Sequence, residues 1–226
     1  MPQPLDNPIW SALTSGSSNF SFGTNNCRFI DREMGFFAGL PEYTQEGLET
    51  LRSACEVGQR VILFPEDHLP STEGWRVLND RELLQMVYSP EFPIPELEIQ
   101  LENLCDSDVP EMLFLTELTK PGPFLARTID FGGYLGVKDG PRLISMAGRR
   151  LCPDPYVEIS AVCTHPDYLG KGLSAQVTSQ VMKGILAEKR IPFLHVYPDN
   201  APAIRVYEKL GFQPRAILRV YLLEKI

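Results

Sequence analysis

The stretch VEISAVCTHPDYLGKGLSAQV at residues 157–177 decides the fold. It begins with VEISAVCT (157–164), a β-branched and apolar run that is typical of a buried strand. A loop with two glycines, Gly170 and Gly172, follows this run. From Leu173 to Ala187, apolar residues recur every four positions, which indicates a helix. The stretch is therefore predicted to be a strand, a glycine-rich loop and a helix.

The glycine loop is predicted to hold a phosphate group. The first backbone N–H groups of a helix have no partner inside it, and the helix dipole adds a partial positive charge. Gly170 and Gly172 lack the Cβ atoms that would keep a pyrophosphate away, and Lys171 adds a charge beside them. The same glycines are also compatible with a plain tight turn. The spacing does not match a P-loop, and five residues between strand and loop argue against a dinucleotide fingerprint.

Downstream of this stretch, the pattern predicts a second strand and a short helix. PFLHVY (192–197) is typical of a buried strand. Asn200 is predicted to cap a helix that runs to Leu210, and Gly211 is predicted to end it. FQPRAILRVYLLEK (212–225) is predicted to form a last strand or pair of strands.

Upstream, the predicted elements are mostly strands. Asp108 is predicted to begin a helix in capping-box form, and the dipeptide Asp139-Gly140 indicates a hairpin. The elements are a strand at 97–104, a helix with the apolar stripe Met112, Leu115 and Leu118, and strands at 133–138 and 142–150.

Residues 1–95 are predicted to be a separate, acidic α/β region. The proline cluster SPEFPIPE (89–96) is the predicted linker, because consecutive prolines continue neither helix nor strand. Within this region the pattern predicts a strand at 27–30, a helix at 44–55 begun by Thr44, and strands at 60–66 and 75–80.

Composition excludes several classes of protein. Of the 226 residues 43% are hydrophobic, and no stretch approaches the ~20 apolar residues that span a bilayer. The first ten residues do not resemble a secretory signal. The five cysteines are scattered without a Cys-x-x-Cys pair, so neither disulfides nor a bound metal are expected. A cytoplasmic location is expected for the same reason. Residues 1–104 hold six Arg, no Lys and sixteen Asp or Glu, which argues against a nucleic-acid partner.

Two motifs together resemble the GNAT superfamily of acyl-CoA-dependent N-acyltransferases. Residues 157–177 match its strand, pyrophosphate loop and helix, and PFLHVYPDNAPAIRVYEKLGF (192–212) matches its strand and Asn-initiated helix with a Tyr. The resemblance covers about residues 97–226. It implies an α/β fold (mixed α+β) with a central, mostly antiparallel sheet and one parallel strand–helix–strand crossover. Residues 96–226 would be the acyl-CoA-binding domain, and a degenerate GNAT-like half is one interpretation of residues 1–95.

The resemblance implies transfer of an acetyl group from acetyl-CoA, the cosubstrate, to a primary amine by direct attack on the thioester. Tyr207 would be the proton donor to the CoA sulfur, since a phenol is protonated at neutral pH. Glu158 and His195 are the candidate bases, and Glu158 is preferred because a carboxylate in an apolar strand is costly to bury. The residues implied to contact CoA are Val162, Cys163, Thr164, Leu169, Gly170, Lys171, Gly172, Leu173, Ser174, Ala175, Asn200 and Tyr207.

Two other functions fit the same residues. One is a non-catalytic acyl-CoA-binding module, and the other is a nucleotide-binding regulator that uses the glycine loop for a different phosphate ligand. The acidic front half is interpreted first as a solubility feature and second as a field that draws a cationic amine. The sequence predicts no membrane partner and indicates neither the acceptor nor the oligomeric state.

Overall fold

The computed structural model describes residues 3–94, 96 and 99–226. The helices are α1 (Pro8–Thr14), α2 (Gln45–Ala54), α3 (Val109–Thr119), α4 (Leu173–Ala187) and α5 (Ala201–Lys209). The strands are β1 (Ser21–Gly23), β2 (Arg28–Ile30), β3 (Ala38–Gly39), β4 (Arg60–Leu63), β5 (Trp75–Tyr88), β6 (Glu102–Asn103), β7 (Leu135–Asp139), β8 (Arg142–Arg149), β9 (Tyr156–Thr164), β10 (Ile191–Val196) and β11 (Phe212–Lys225). None of the described helices is long and apolar enough to cross a bilayer.

One eight-stranded sheet organises the chain. Its strand order is β4-β11-β5-β10-β9-β8-β7-β6, and a second, small sheet of order β1-β2-β3 adjoins it through a bridge between Phe37 and Ile62 of β4. Neighbours in the large sheet are antiparallel except for β9 and β10, which run parallel and are joined through α4. This arrangement confirms the predicted α/β fold with a mostly antiparallel sheet and one parallel crossover.

The acidic N-terminal region contributes strands to the same sheet. β5 pairs with β10 on one side and along nearly its whole length with β11 on the other. β4 pairs with the far edge of β11. The region predicted as residues 1–95 and the region predicted as 96–226 therefore share one hydrogen-bonded sheet.

The crossover helix α4 is fixed by its apolar stripe. Val177, Val181 and Ile185 recur four apart, as predicted, and all are buried against the sheet. Burying an aliphatic side chain of this size stabilises a fold by about 1.5–3 kcal/mol. The stripe therefore determines which face of α4 packs on the sheet.

Three local predictions are wrong. The strand predicted at 97–104 is reduced to the two residues of β6 within the described residues. Leu97 and Glu98 of the predicted strand lie outside the described residues. The Asp108 carboxylate does not cap α3, because it accepts hydrogen bonds from the Cys105 N–H and pairs with Lys138. Leu118 is exposed, because Thr116, one turn after the buried Met112, takes the inward position.

Candidate functional site

The two parallel strands separate halfway along their length. The pairing of β9 with β10 ends at Glu158 and Phe193. Beyond that point β9 continues to Thr164, while β10 continues to Val196 and stays paired with β5. The facing edges of β9 and β10 therefore form a wedge. Along this wedge the two strands make no hydrogen bonds to each other.

A bulge in β9 lies beside this wedge. Met146 of β8 pairs with Cys163, but Gly148 pairs with Ser160, so β9 holds one more residue than β8 between these pairs. Ala161 takes up the extra length with a φ of +52°. A left-handed backbone is unfavourable for a residue other than glycine and is found preferentially at functional sites. The bulge turns backbone groups of β9 out of the ladder.

A cavity of about 340 Å³ opens at the bulge. It brings together six of the predicted site residues, namely Val162, Cys163, Thr164, His195, Asn200 and Tyr207. Its opposite wall is apolar and was not predicted from the sequence; it consists of Phe37, Ile62, Phe64, Leu83 and Val220. The N-terminal region thus forms part of the cavity.

Tyr207 reaches this cavity from α5. The residue is 8% exposed, and its ring packs edge-on against Phe212 with centroids 6.1 Å apart. Burial raises the pKa of its phenol, with a smaller contribution from Cys163. Its hydroxyl makes no hydrogen bond within the described part of the chain. Tyr207 is therefore a protonated donor that is available to a ligand.

The predicted residues Asn200, Thr164 and Cys163, which also line the cavity, have structural rather than reactive side chains. Asn200 caps α5, since its Oδ1 accepts a hydrogen bond from the Ala203 N–H at 3.2 Å. The Thr164 hydroxyl lies 2.8 Å from the Ser145 hydroxyl. Burial raises the pKa of the Cys163 thiol to about 12. A thiol with this pKa is not a nucleophile at neutral pH, so the Cys163 side chain is not a reactive group.

The glycine loop lies outside the cavity, at the start of α4. Gly170 and Gly172 have φ values of +76° and +73°, and a Cβ built on either would meet no atom of the described residues within 4 Å. Among the described residues, no hydrogen bond engages the N–H groups from Gly170 to Ala175, which include those of Lys171, Leu173 and Ser174. The first turn of α4 holds no acidic residue, and Leu169 before the loop is 65% exposed. The loop therefore offers free donors and open space to a phosphate group.

Glu158 lies behind the cavity in an ion pair. It is fully buried, and its two oxygens accept hydrogen bonds from Arg150 Nη2 at 2.5 Å and Nε at 2.8 Å. His195 Nδ1 lies 2.6 Å from Glu158 Oε1. Burial alone would raise the pKa of Glu158, but Arg150 and His195 outweigh it and hold that pKa at about 2.

The other nitrogen of His195 is also engaged. Gln85 Nε2 lies 3.1 Å from His195 Nε2, while Gln85 Oε1 accepts a hydrogen bond from Arg215. With the amide oriented by Arg215, Gln85 donates to His195 Nε2, and His195 Nδ1 donates to Glu158. Glu158 and His195 therefore have no lone pair directed at the cavity. This geometry gives no support to the prediction that either side chain takes a proton from an amine directly.

The position of Arg150 was not singled out by the sequence. It follows β8 within the stretch RLISMAGRR, which reads as a strand end with exposed charges. The available signal was Glu158, since a carboxylate in a buried strand requires a cationic partner. In the described part of the chain, no three His, Cys, Asp or Glu side chains form a group that could hold a metal ion.

Sequence comparison points to acetyltransferases. The FR47-like protein family matches residues 134–220. Mycothiol acetyltransferase of Thermomonospora curvata is 35% identical over 92 residues, which are 40% of this chain and 30% of that protein. N-alpha-acetyltransferase RimI of Mycobacterium tuberculosis is 28% identical over 130 residues, 56% of this chain and 74% of that protein. The match thus spans less than a third of the first relative.

Structural comparison extends the likeness to the whole chain. A crystal structure of a protein assigned to the GNAT family of acetyltransferases, from Novosphingobium aromaticivorans, is 35% identical with a TM-score of 0.91, and all of both chains is covered. A GCN5-related N-acetyltransferase from Kribbella flavida shares the fold, with a TM-score of 0.66 at 16% identity over 97% of this chain and 95% of that one. Together with the wedge, the bulge and the glycine loop, the full-length match shows that this chain belongs to the GNAT superfamily of N-acetyltransferases.

Proposed function

We propose that this protein transfers an acetyl group from acetyl-CoA to a primary amine by direct attack of the amine on the thioester. The observation that carries the proposal is the cavity at the open end of the wedge. There a backbone bulge meets the Tyr207 hydroxyl, which makes no hydrogen bond to the described residues. Acetyl transfer requires a polarised carbonyl and a proton for the departing thiolate. The two features supply these two requirements.

The chain offers a continuous path for CoA from the helix start to the cavity. The free N–H groups at Gly170–Ala175 would bind the pyrophosphate, because backbone donors and the helix dipole both favour an anion there. The unpaired edges of β9 and β10 would hydrogen-bond the amides of the pantetheine arm in the manner of an added strand. The thioester would then lie at the bulge.

At the cavity, backbone N–H groups around Ala161 would polarise the thioester carbonyl. The amine nitrogen forms a bond to the carbonyl carbon, and the carbon–sulfur bond breaks. Tyr207 donates its hydrogen bond to the departing sulfur. The phenol proton passes to the sulfur, and the proton that the amine nitrogen loses returns to the Tyr207 oxygen, so the products are an amide and the CoA thiol.

The cavity favours the neutral form of the amine. Arg150 and Lys120 line it, and among the described residues no Asp or Glu does. A cationic lining disfavours the ammonium form, because like charges lower the pKa of an amine. We therefore assign Glu158 and His195 to positioning Arg150 and β10 rather than to proton abstraction. The absence of described acids from the lining favours the interpretation of the acidic front half as a solubility feature.

Replacing Gly172 with Val is expected to lower CoA affinity by about 10²-fold or more. The new side chain would stand in the open space above the loop and block two or more charge-assisted hydrogen bonds to phosphate. Calorimetric titration with CoA measures the effect. The control is Gly58→Val, since Gly58 also has a positive φ and open space but lies after α2. It carries the same strain without contacting the ligand.

Unchanged CoA affinity in folded Gly172→Val would contradict the site. Titration with ATP and NAD separates the alternative of a nucleotide-binding regulator, which would bind one of these and not CoA. Thiol release from acetyl-CoA in the presence of an amine separates an enzyme from a non-catalytic binder.

A further inference from the structure

Arg150 lines the cavity and has one hydrogen-bonding edge that the described residues do not use. Its Nε and Nη2 bind Glu158, while its Nη1 makes no hydrogen bond within residues 3–94, 96 and 99–226. The side chain is 16% exposed, and its guanidinium lies 5.0 Å from the centroid of the Phe37 ring. Glu158 and Phe37 thus hold the guanidinium in one place. A fixed guanidinium with free N–H groups is suited to a carboxylate or another planar oxygen pair.

The charges around the cavity favour an anionic group on the acceptor. Both oxygens of Glu158 are already occupied by Arg150 and His195, and Glu158 does not line the cavity. The charged side chains in the described lining are Arg150 and the exposed Lys120, both cationic. A polyamine would meet two like charges there and no carboxylate among the described lining residues. A carboxylate would meet Arg150.

The wall opposite the bulge favours an apolar group on the same acceptor. Five side chains form it, from the residue before β3, from β4 and the residue that follows it, from β5 and from β11: Phe37, Ile62, Phe64, Leu83 and Val220. The volume of about 340 Å³ is near the lower end of the range of 300–1,000 Å³ for small-molecule pockets. This volume suits a small acceptor rather than a long peptide.

We propose, on the basis of the acetyltransferase function above, that the acceptor is a free amino acid with an apolar or aromatic side chain. Arg150 binds the carboxylate of the amino acid, and the apolar wall that includes Phe37 and Val220 packs on the side chain of the amino acid. The amine of the amino acid faces the bulge at Ala161. The N-terminal region thereby determines which acceptor is used. L-Phenylalanine is the test acceptor, because its ring matches the aromatic part of the wall.

The experiment compares acceptors that differ in a single group. Thiol release from acetyl-CoA is measured with L-phenylalanine, 2-phenylethylamine, L-phenylalaninamide and spermidine. For the wild-type protein we expect kcat/KM for L-phenylalanine to exceed that for 2-phenylethylamine by about 10–10²-fold, the range for one charge-assisted pair. Phenylalaninamide is expected to lie between them, because its carbonyl accepts one uncharged hydrogen bond.

Two variants assign the preference to Arg150. Arg150→Lys keeps the charge beside Glu158 but loses the planar fork, so the ratio of kcat/KM between L-phenylalanine and 2-phenylethylamine should fall by about tenfold. Lys120→Asn removes the other lining cation, and asparagine tolerates the left-handed backbone of that position (φ +50°). This variant should keep the ratio.

Equal rates with L-phenylalanine and 2-phenylethylamine, or a preference for spermidine, would overturn the proposed acceptor and leave the acetyltransferase function standing. Loss of the ratio in Lys120→Asn but not in Arg150→Lys would also overturn it. If CoA binds but none of the four acceptors releases thiol, the proposed acceptor is wrong and the non-catalytic acyl-CoA-binding module is favoured. Failure of the protein to bind CoA would instead contradict the proposed function itself, and the same calorimetric titration detects it.

Discussion

Replacing Tyr207 with Phe is expected to slow acetyl transfer by roughly 10²-fold or more while CoA affinity stays close to that of the wild type. The ring keeps its edge-on contact with Phe212, so the packing of α5 is retained. Only the hydroxyl that makes no hydrogen bond to the described chain is removed. The pKa of this phenol is raised by burial, so the group stays protonated across the neutral range and acts as a donor. Single-turnover rates are the proper measurement, because product release can hide a slower chemical step.

Tyr88 provides the matched control. It is buried to the same extent, its ring also packs edge-on against Phe212, and its hydroxyl donates to the Phe92 carbonyl at 2.7 Å, away from the cavity. Tyr88→Phe should therefore cost some stability without changing the single-turnover rate. Full turnover in Tyr207→Phe would show that Tyr207 is a packing residue. An equal loss of rate in both variants would attribute the effect to the apolar cluster around Phe212.

Elements with a strong local signal could be predicted from the sequence. The helix predicted at Leu173–Ala187 has these bounds in the structure, because a four-residue apolar period and flanking Gly172 determine both the face and the start. The strand predicted at 75–80 continues to Tyr88. Its second half is stabilised by pairing with β10 and β11, which are more than a hundred residues away. Local propensity carries no information about such pairing.

The candidate site divides in the same way. Tyr207, Asn200 and the segment Val162–Thr164 lie in motifs whose spacing is visible in the sequence, and the fold brings them to one cavity. Phe37 and Phe64 reach the cavity only because β4 and β5 join the far side of the sheet. The predicted role of Glu158 as a base rested on the cost of burying a carboxylate. Arg150 and His195 instead offset the cost of burying this carboxylate. A single sequence does not show that these two residues contact Glu158.

Glu158→Gln is expected to lower the free energy of unfolding by about 3–5 kcal/mol at pH 7, the range for breaking a buried ion pair at one partner. The glutamine keeps the size and an oxygen for the His195 Nδ1–H, but it leaves the guanidinium of Arg150 buried without a counterion. Urea denaturation monitored by fluorescence measures the difference. A stability of about 5–15 kcal/mol is usual for a chain of this kind, so the variant is expected to fold.

The double variant Arg150→Met with Glu158→Gln tests the cause. Removing both charges should recover a large part of the loss, because replacement of a whole buried pair by uncharged groups is often neutral. No recovery would mean that the cost comes from packing or from the hydrogen bond to His195. The comparison is a double-mutant cycle, which measures the coupling of two side chains that touch each other.

The difference in unfolding free energy between the wild type and Glu158→Gln depends on pH, and this dependence follows from the pKa of Glu158. That pKa is lowered in the folded protein to about 2, whereas an unfolded Glu titrates at about 4.3. Glu158 therefore contributes stability that is fully present above about pH 4.3 and is lost as the pH falls toward 2. The glutamine side chain of the Glu158→Gln variant does not titrate, so the gap in unfolding free energy between wild type and variant should be constant from about pH 7 to 5 and shrink below about pH 4. A gap that stays the same down to about pH 2.5 would show that the charge of Glu158 is not what stabilises the fold, since a protonated glutamic acid and a glutamine differ little in shape.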